Sequence, residues 1–299
     1  MGKPPDWVAR LCARPRQTVK SSLAERVIRP QKGAMIQSVT QGVLGTYRTQ
    51  SIAERVARAE ALRPGYRDHP MDVSAPAQRD AMVDLRASGI AGENYYHSLH
   101  NPPYHTKIDG SVPDLLLRAP LAERLQTVNT VLAPYGLELW VFDAWRPIAV
   151  QNYFHDHWMP THLRRHDPSL EGAALQAEVE KYWARGAPGG MIDPTSPPPH
   201  ATGAAVDLTL RRIGGDALFM GSVFDDVTEI SNTAHLETAS DVMSFSAIEA
   251  RDNRRMLFWV MDAAGFANNP TEWWHFSLGD QMWARITGAE AAYYGPAPI

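Results

Sequence analysis

Cysteine is nearly absent: the 299-residue chain has one, Cys12. A single thiol excludes an intramolecular disulfide and a cysteine-rich zinc site, so any bound zinc must rest on His, Asp or Glu. Long apolar runs are also missing, and no stretch approaches the about 18 to 20 apolar residues that a membrane-spanning helix needs. The Met1–Arg10 segment is basic but carries no apolar core of signal-peptide type. Asp6 and the prolines at 4 and 5 argue against a transit peptide, so the expected location is cytoplasmic. An excess of one charge sign is missing too. Lys and Arg number 29 against 33 Asp and Glu, a net charge of -4, which gives no electrostatic reason to expect nucleic acid or an anionic membrane as partner.

What is present is globular material. The chain is 44% hydrophobic and 21% charged, enough for one large domain or two small ones. Residues 1–36 carry eight Lys or Arg against Asp6 and Glu25 and show no apolar period, which reads as a loosely attached arm. Ser51-Ile-Ala-Glu54 has the form of a capping box ahead of Val56, Ala59 and Leu62, and Pro64-Gly65 ends that helix. Pro70 to Pro76 reads as a linker, and Met82–Arg86 as the first strand of the main domain. The expected organisation is therefore an N-terminal extension over 1–81, partly flexible with one helix, and a main domain over 82–299.

Within that domain, Asn94–Tyr104 is an aromatic, polar, proline-bearing loop of the kind that can line a site. Pro120 opens a helix with Leu121, Leu125, Val128 and Leu132 on one face. Leu137–Phe142 reads as a buried strand. At its end stands Asp143-Ala-Trp-Arg146-Pro147, whose guanidinium can aim at an oxyanion or simply pair with Asp143. His162 and His166 have helical i, i+4 spacing, but the arginines between them favour a solvated segment. Ala205–Leu210 alternates as a strand, with Asp207 on one face; a carboxylate buried there needs a partner. Ser246-Ala-Ile-Glu249 is a second capping box, ahead of a helix ending at Gly265. Asn268-Asn-Pro270 turns the chain into Glu272-Trp-Trp-His275.

An E-x-x-H string alone is ambiguous. Its ends share a face on a helix and point apart on a strand, and two core tryptophans with edge polar groups would explain it equally well. The turn at Asn268–Pro270 suggests Glu272 at a loop-to-strand junction and His275 inside the strand. Taken with His200-Ala-Thr-Gly-Ala-Ala-Val-Asp207, the string gains partners. His200, Asp207 and His275 form a two-His, one-Asp zinc set with an open fourth position, and Glu272 is left as a free carboxylate. In such a site Glu272 is the general base, Arg146 stabilises the tetrahedral oxyanion, and Asp225 suits a substrate ammonium.

These stretches, with Met220-Gly-Ser-Val-Phe-Asp225, resemble the motifs of the D-alanyl-D-alanine dipeptidases, the VanX-type zinc peptidases associated with vancomycin resistance. The motifs occur in the family's order, and the resemblance covers roughly residues 82 to 280. It implies an α+β fold, a mainly antiparallel sheet with packed helices, related to the zinc DD-carboxypeptidases and the Hedgehog N-terminal domain. It also implies Zn2+ on His200, Asp207 and His275, Glu272 as base, Arg146 as transition-state stabiliser and Asp225 on the substrate amino group. Tyr96, in Tyr96-His-Ser98-Leu-His-Asn101, partly matches a loop tyrosine that the family keeps near its substrate.

The chain departs from the family pattern in two places. A serine that meets the substrate carboxylate is replaced by Pro198, which has neither hydroxyl nor N–H. The segment before 82 has no counterpart in short members. The expected function is zinc-dependent hydrolysis of a small dipeptide, by default D-alanyl-D-alanine. The alternatives are amide hydrolysis or acyl transfer on another small biosynthetic substrate, and a non-catalytic zinc-bearing binding protein. Oligomeric state is not indicated.

Overall fold

A computed structural model describes residues 42–237 and 244–299. The basic arm over 1–36, with Cys12, lies outside those residues. Among the described residues no helix is long and apolar enough to cross a membrane.

The architecture is α+β. A five-stranded sheet runs in the order β2-β4-β5-β7-β6, formed by Ala91–Gly92 (β2), Leu137–Asp143 (β4), Ala205–Arg212 (β5), Ala267–Asn268 (β6) and His275–Ser277 (β7). The β2–β4 pair is parallel and the other neighbours are antiparallel. Met82–Asp84 (β1) and Leu116–Arg118 (β3) form a separate antiparallel pair. β5 is central, and Ala205 to Leu210 are buried on both faces, the alternating Asp207 and Thr209 included.

Helices cover this sheet. Val43–Thr49 (α1) and Ala53–Leu62 (α2) precede it in the chain. Ala119–Leu132 (α3) begins with Pro120 in its first turn and buries the predicted Leu121, Leu125, Val128 and Leu132. Ile148–Tyr153 (α4) continues through a π-turn, Phe154–Trp158, into Met159–His166 (α5). Gly172–Tyr182 (α6), Phe245–Ala263 (α7) and Gln281–Thr287 (α8) complete the set.

Both expected capping boxes are displaced. Ser244, not Ser246, caps α7 by accepting from Ala247 N at 3.2 Å, and Phe245 stands 94% exposed in the first turn. Ser51 lies one residue ahead of the α2 cap position. Its Oγ accepts from Ala53 N at 3.2 Å, satisfying an N–H of the first turn, while its hydroxyl donates to Glu237 Oε2 at 2.6 Å.

Residues 42–81 contain two α-helices where one was anticipated, and they are continuous with the rest. Leu44 and Tyr47 belong to the main core, while Ile52 and Val56 pack on Phe258. Trp259 Nε1 donates to Gln50 O at 3.0 Å. Arg118, fully buried, donates to Gln78 O at 2.8 Å, Thr202 O at 3.0 Å and Gly295 O at 3.2 Å, tying the segment before 82 to the chain's last turns.

Candidate metal and catalytic site

The sheet register aligns three acidic and histidyl positions. Asp143 at the end of β4 faces Asp207 on β5, and Asp207 faces His275 on β7. The β4–β5 pairing slips by one residue at Phe142, between Val141 and Asp143. A bulge of this kind re-aims the side chain that follows it. Directly opposed residues share a face, so the rung carries its polar groups to one side of the sheet.

His200 reaches the same place from a tight turn, Pro199–Thr202, which Gly203 ends in a left-handed conformation at φ 66°. That positive φ is what makes this turn depend on glycine. His200 Nδ1 donates to Ala144 O at 2.7 Å; a carbonyl only accepts, so Nε2 keeps a lone pair. That Nε2 lies 3.1 Å from His275 Nδ1 and 3.3 Å from Asp207 Oδ2, and His275 Nδ1 lies 3.0 Å from Asp207 Oδ1. One donor atom from each residue falls within a 4.8 Å group, the only such grouping among the described residues. All three side chains are buried. Burial opposes the charge on Asp207, yet the two histidines outweigh it and hold its carboxyl well below the usual range. For His275 burial works downward, and the Asp207 carboxylate pushes its pKa up past it. Two imidazoles and a carboxylate meeting without a bulky side chain between them fit a divalent ion of the zinc type.

Glu272 arrives by a turn that a strand would not allow. Glu272 N donates to Asn269 O at 3.1 Å, and His275 N donates to Glu272 O at 3.2 Å. Asn268 Nδ2 clamps the loop by donating to both Glu272 O at 3.1 Å and His275 O at 3.0 Å. The two ends of the four-residue string therefore face each other, with Glu272 Oε2 at 3.6 Å from His275 Nδ1. Burial raises the Glu272 carboxyl above its ordinary value, against the pull of His275. Trp274 lines the cleft, whereas Trp273 turns away and donates to Ser222 Oγ at 2.9 Å.

Arg146 is held on every side. Its Nε donates to Asp143 Oδ2 at 2.9 Å, Nη1 to Gln151 Oε1 at 3.0 Å, and Nη2 to Tyr96 OH and Asp207 Oδ2, each at 3.2 Å. Its guanidinium carbon lies 4.8 Å from the Tyr96 ring centroid and 4.7 Å from that of Trp183. Burial disfavours its charge, but Tyr96, Asp143 and Asp207 keep it firmly protonated. The pair with Asp143 that the sequence offered as one alternative is present, and Nη2 also faces the cluster through Asp207. Asp225, at φ 59°, accepts from Tyr96 OH at 2.7 Å and Tyr104 OH at 3.0 Å. Burial pushes its carboxyl up to about 8, with Arg146 opposing.

His200, Asp207, His275, Glu272, Arg146 and Asp225 line one cleft, with Tyr96 and Tyr104 behind Asp225. The structure thus brings together His200, Asp207, His275, Glu272, Arg146, Asp225 and Tyr96. His162 and His166 lie elsewhere, on α5, with Trp158 stacked on His162. Sequence reasoning passed over Tyr104, although it ends the loop singled out as site-lining. It also passed over Gln151 and Trp183, for which no local pattern offered a signal, and Arg63 and Tyr66, which lay in the presumed extension yet line the cleft.

Comparison with known proteins adds the family. The pattern of the family described as D-ala-D-ala dipeptidase, peptidase M15, matches residues 106–289. A D-alanyl-D-alanine dipeptidase of Synechocystis sp. is 36% identical over 199 residues, 60% of this chain and 78% of the relative. One from Enterococcus faecium is 32% identical over 165 residues, covering 54% of this chain and 72% of the relative. One from Escherichia coli is 30% identical over 143 residues, covering 48% and 56% respectively. The matched segment spans more than half of the chain and contains the whole His200–Asp207–His275 cluster with Glu272, Arg146 and Asp225. This chain belongs to the D-Ala-D-Ala dipeptidase family of M15 peptidases.

Proposed function

We propose that this protein is a zinc-dependent dipeptidase acting on a small free dipeptide, D-alanyl-D-alanine by default. The observation that carries the reading is the meeting of three metal-donor side chains with a fourth, non-ligating carboxylate, Glu272, 3.6 Å from His275. His200, Asp207 and His275 would hold the ion. Zinc in such a donor set supplies Lewis acidity, acidifying water and polarising a carbonyl.

The chain's own residues do the rest. Glu272 Oε accepts the proton of the attacking water and returns it to the leaving amine; its burial-raised pKa suits both halves of that transfer. Arg146, fixed by Asp143 and Gln151 beneath two aromatic rings, stabilises the developing oxyanion without having to reorganise. Asp225 receives the substrate ammonium, and Tyr96 and Tyr104 orient its carboxylate.

One observation favours a second reading, the same chemistry on a different small amide. Pro198 sits buried at the start of the His200 turn and offers no donor to a substrate carboxylate. The test is turnover of D,D-, L,D- and L,L-dipeptides by the zinc-loaded protein, with chelator and with Glu272→Gln as controls. Release of free alanine from D-Ala-D-Ala, abolished by chelator and reduced about 100-fold or more in Glu272→Gln, is the expected result. Turnover of other amides with none of D-Ala-D-Ala would move the protein to the second reading. No turnover of any dipeptide by the zinc-loaded protein, with zinc and dipeptide binding unchanged in Glu272→Gln, would make it a zinc-bearing binding protein.

A further inference from the structure

A free dipeptide carries two charges, and the site as described so far answers one of them. Asp225 meets the ammonium. The carboxylate needs a cation or donors, and Pro198 supplies none. Two arginines line the cleft among the described residues, Arg146 and Arg63. Arg146 is engaged with Asp143, Gln151, Tyr96 and Asp207. Arg63 is not: its Nη2 donates to Lys181 O at 3.1 Å, while its Nε is buried with no partner among the described residues. A buried guanidinium N–H without an acceptor is costly unless something arrives to take it. Tyr66, three residues on, lines the same cleft.

The backbone that presents these two side chains is pinned. α2 ends at Leu62, Arg63 caps it, and Gly65 at φ 69° turns the chain into Tyr66–Asp68. Arg285 Nε donates to Leu62 O at 3.0 Å, and Gln281 Nε2 to Arg67 O at 2.9 Å and His69 O at 2.6 Å. Arg67 Nη1 in turn donates to Arg185 O at 2.7 Å. Two strongly held elements, α8 and the 185–196 segment, therefore fix a turn that the family pattern, starting at 106, does not include. Arg63 is among the charges acting on Glu272.

We propose that Arg63, with Tyr66, is the carboxylate-recognition element of this enzyme, supplied by the segment ahead of the family domain. The proposal rests on the dipeptidase reading above and makes that reading specific: the substrate class is a small peptide with a free C-terminal carboxylate. Asp225 and Arg63 measure its two ends, and Glu272 with the three donor residues addresses the bond between them. Specificity then resides in a pocket whose carboxylate wall lies outside the segment that the family pattern matches.

The test compares D-Ala-D-Ala with its C-terminal amide on the zinc-loaded full chain. Arg63→Ala is expected to raise KM for the free dipeptide about 10- to 100-fold, leave its kcat within about threefold, and leave the amide's kinetics as in the unsubstituted protein. Arg63→Lys recovers part of the loss. Equilibrium binding of D-Ala-D-Ala to Glu272→Gln, with and without Arg63→Ala, reads the same factor without turnover. Where the alanine protein fails to fold, Arg63→Met, which keeps an unbranched apolar stem but carries no donor, takes its place. Equal loss of kcat on acid and amide would overturn the proposal and make Arg63 a partner of Glu272 instead, and unchanged KM would overturn it as well. Failure of the unsubstituted protein to cleave any dipeptide would remove the dipeptidase reading, and this inference with it.

Discussion

Asp225 concentrates the electrostatic cost of the site in one residue. It takes a left-handed backbone conformation, φ 59°, that a non-glycine side chain rarely adopts, and it buries a carboxyl beneath two tyrosine hydroxyls. Burial raises that carboxyl to about 8. In the unfolded chain it ionises near 4, so between about pH 4 and 8 the folded state holds a proton that the unfolded state has lost. Stability should therefore fall as pH climbs through that window, and Asp225→Asn should flatten the slope, as urea unfolding at pH 5 and pH 8.5 would measure. Substrate binding runs the other way. An ammonium needs the carboxylate, so dipeptide affinity should improve as pH rises towards 8 and lose that limb in Asp225→Asn. A KM profile with no Asp225-dependent limb would show that the ammonium binds elsewhere. Residues of this kind were partly legible. Asp225, Arg146 and the three donors could be found because each stands in a distinctive string, but Tyr104, Gln151 and Trp183 enter the site only through packing, which no spacing in the chain records.

At the scale of the element, a turn decides what Glu272 can do. A regular strand would send Glu272 and His275 to opposite faces, and the sequence left that conflict open. The Asn269–Glu272 turn resolves it, and Asn268 holds it closed with two donated bonds while accepting from Thr233 Oγ1 at 2.7 Å. Asn268→Ala removes both clamps, leaving Glu272 O with only the His275 N–H and His275 O with only the Asn269 N–H as donors. The expected cost is about 2–3 kcal/mol of stability, with a larger fall in kcat than in zinc affinity, since Glu272 loses its bearing while His275 stays in the sheet register. Zinc content and kcat measured together decide this; loss of zinc in step with activity would mean that the hairpin serves the metal ligand instead. The Asn-Asn-Pro sequence announced a turn, as turn chemistry allows. The Phe142 bulge was not legible, because a register slip depends on the partner strand. The capping signals were partly legible: Ser51 accepts from Ala53 N at the start of α2 while also donating to Glu237, but the early start of α7 bypasses Ser246.

For the whole molecule, the question is where the enzyme begins. Composition placed a boundary near residue 82, where a proline-bearing stretch looked like a linker. The packing places none there. Leu44 has no exposed surface and shares the core that includes Leu257, Val260 and Met261 of α7, and Arg118 stitches Gln78 and Asp80 to Thr202 and Gly295. Burying a leucine fully is worth about 1.5–3 kcal/mol, and a native domain is stable by only about 5–15 kcal/mol. Leu44→Ala should therefore cost about 2–5 kcal/mol, read from the urea midpoint. An appended arm would show a change of less than about 0.5 kcal/mol, the range of ordinary surface substitutions. The same variant should lose catalytic efficiency only insofar as it unfolds, because Leu44 lies in the core and the cleft wall comes from Arg63 and Tyr66 further along the same segment. A destabilised Leu44→Ala that keeps its KM in the folded fraction, beside a stable Arg63→Ala that does not, would separate the two duties of this segment: α1 completes the core, and the turn after α2 completes the site.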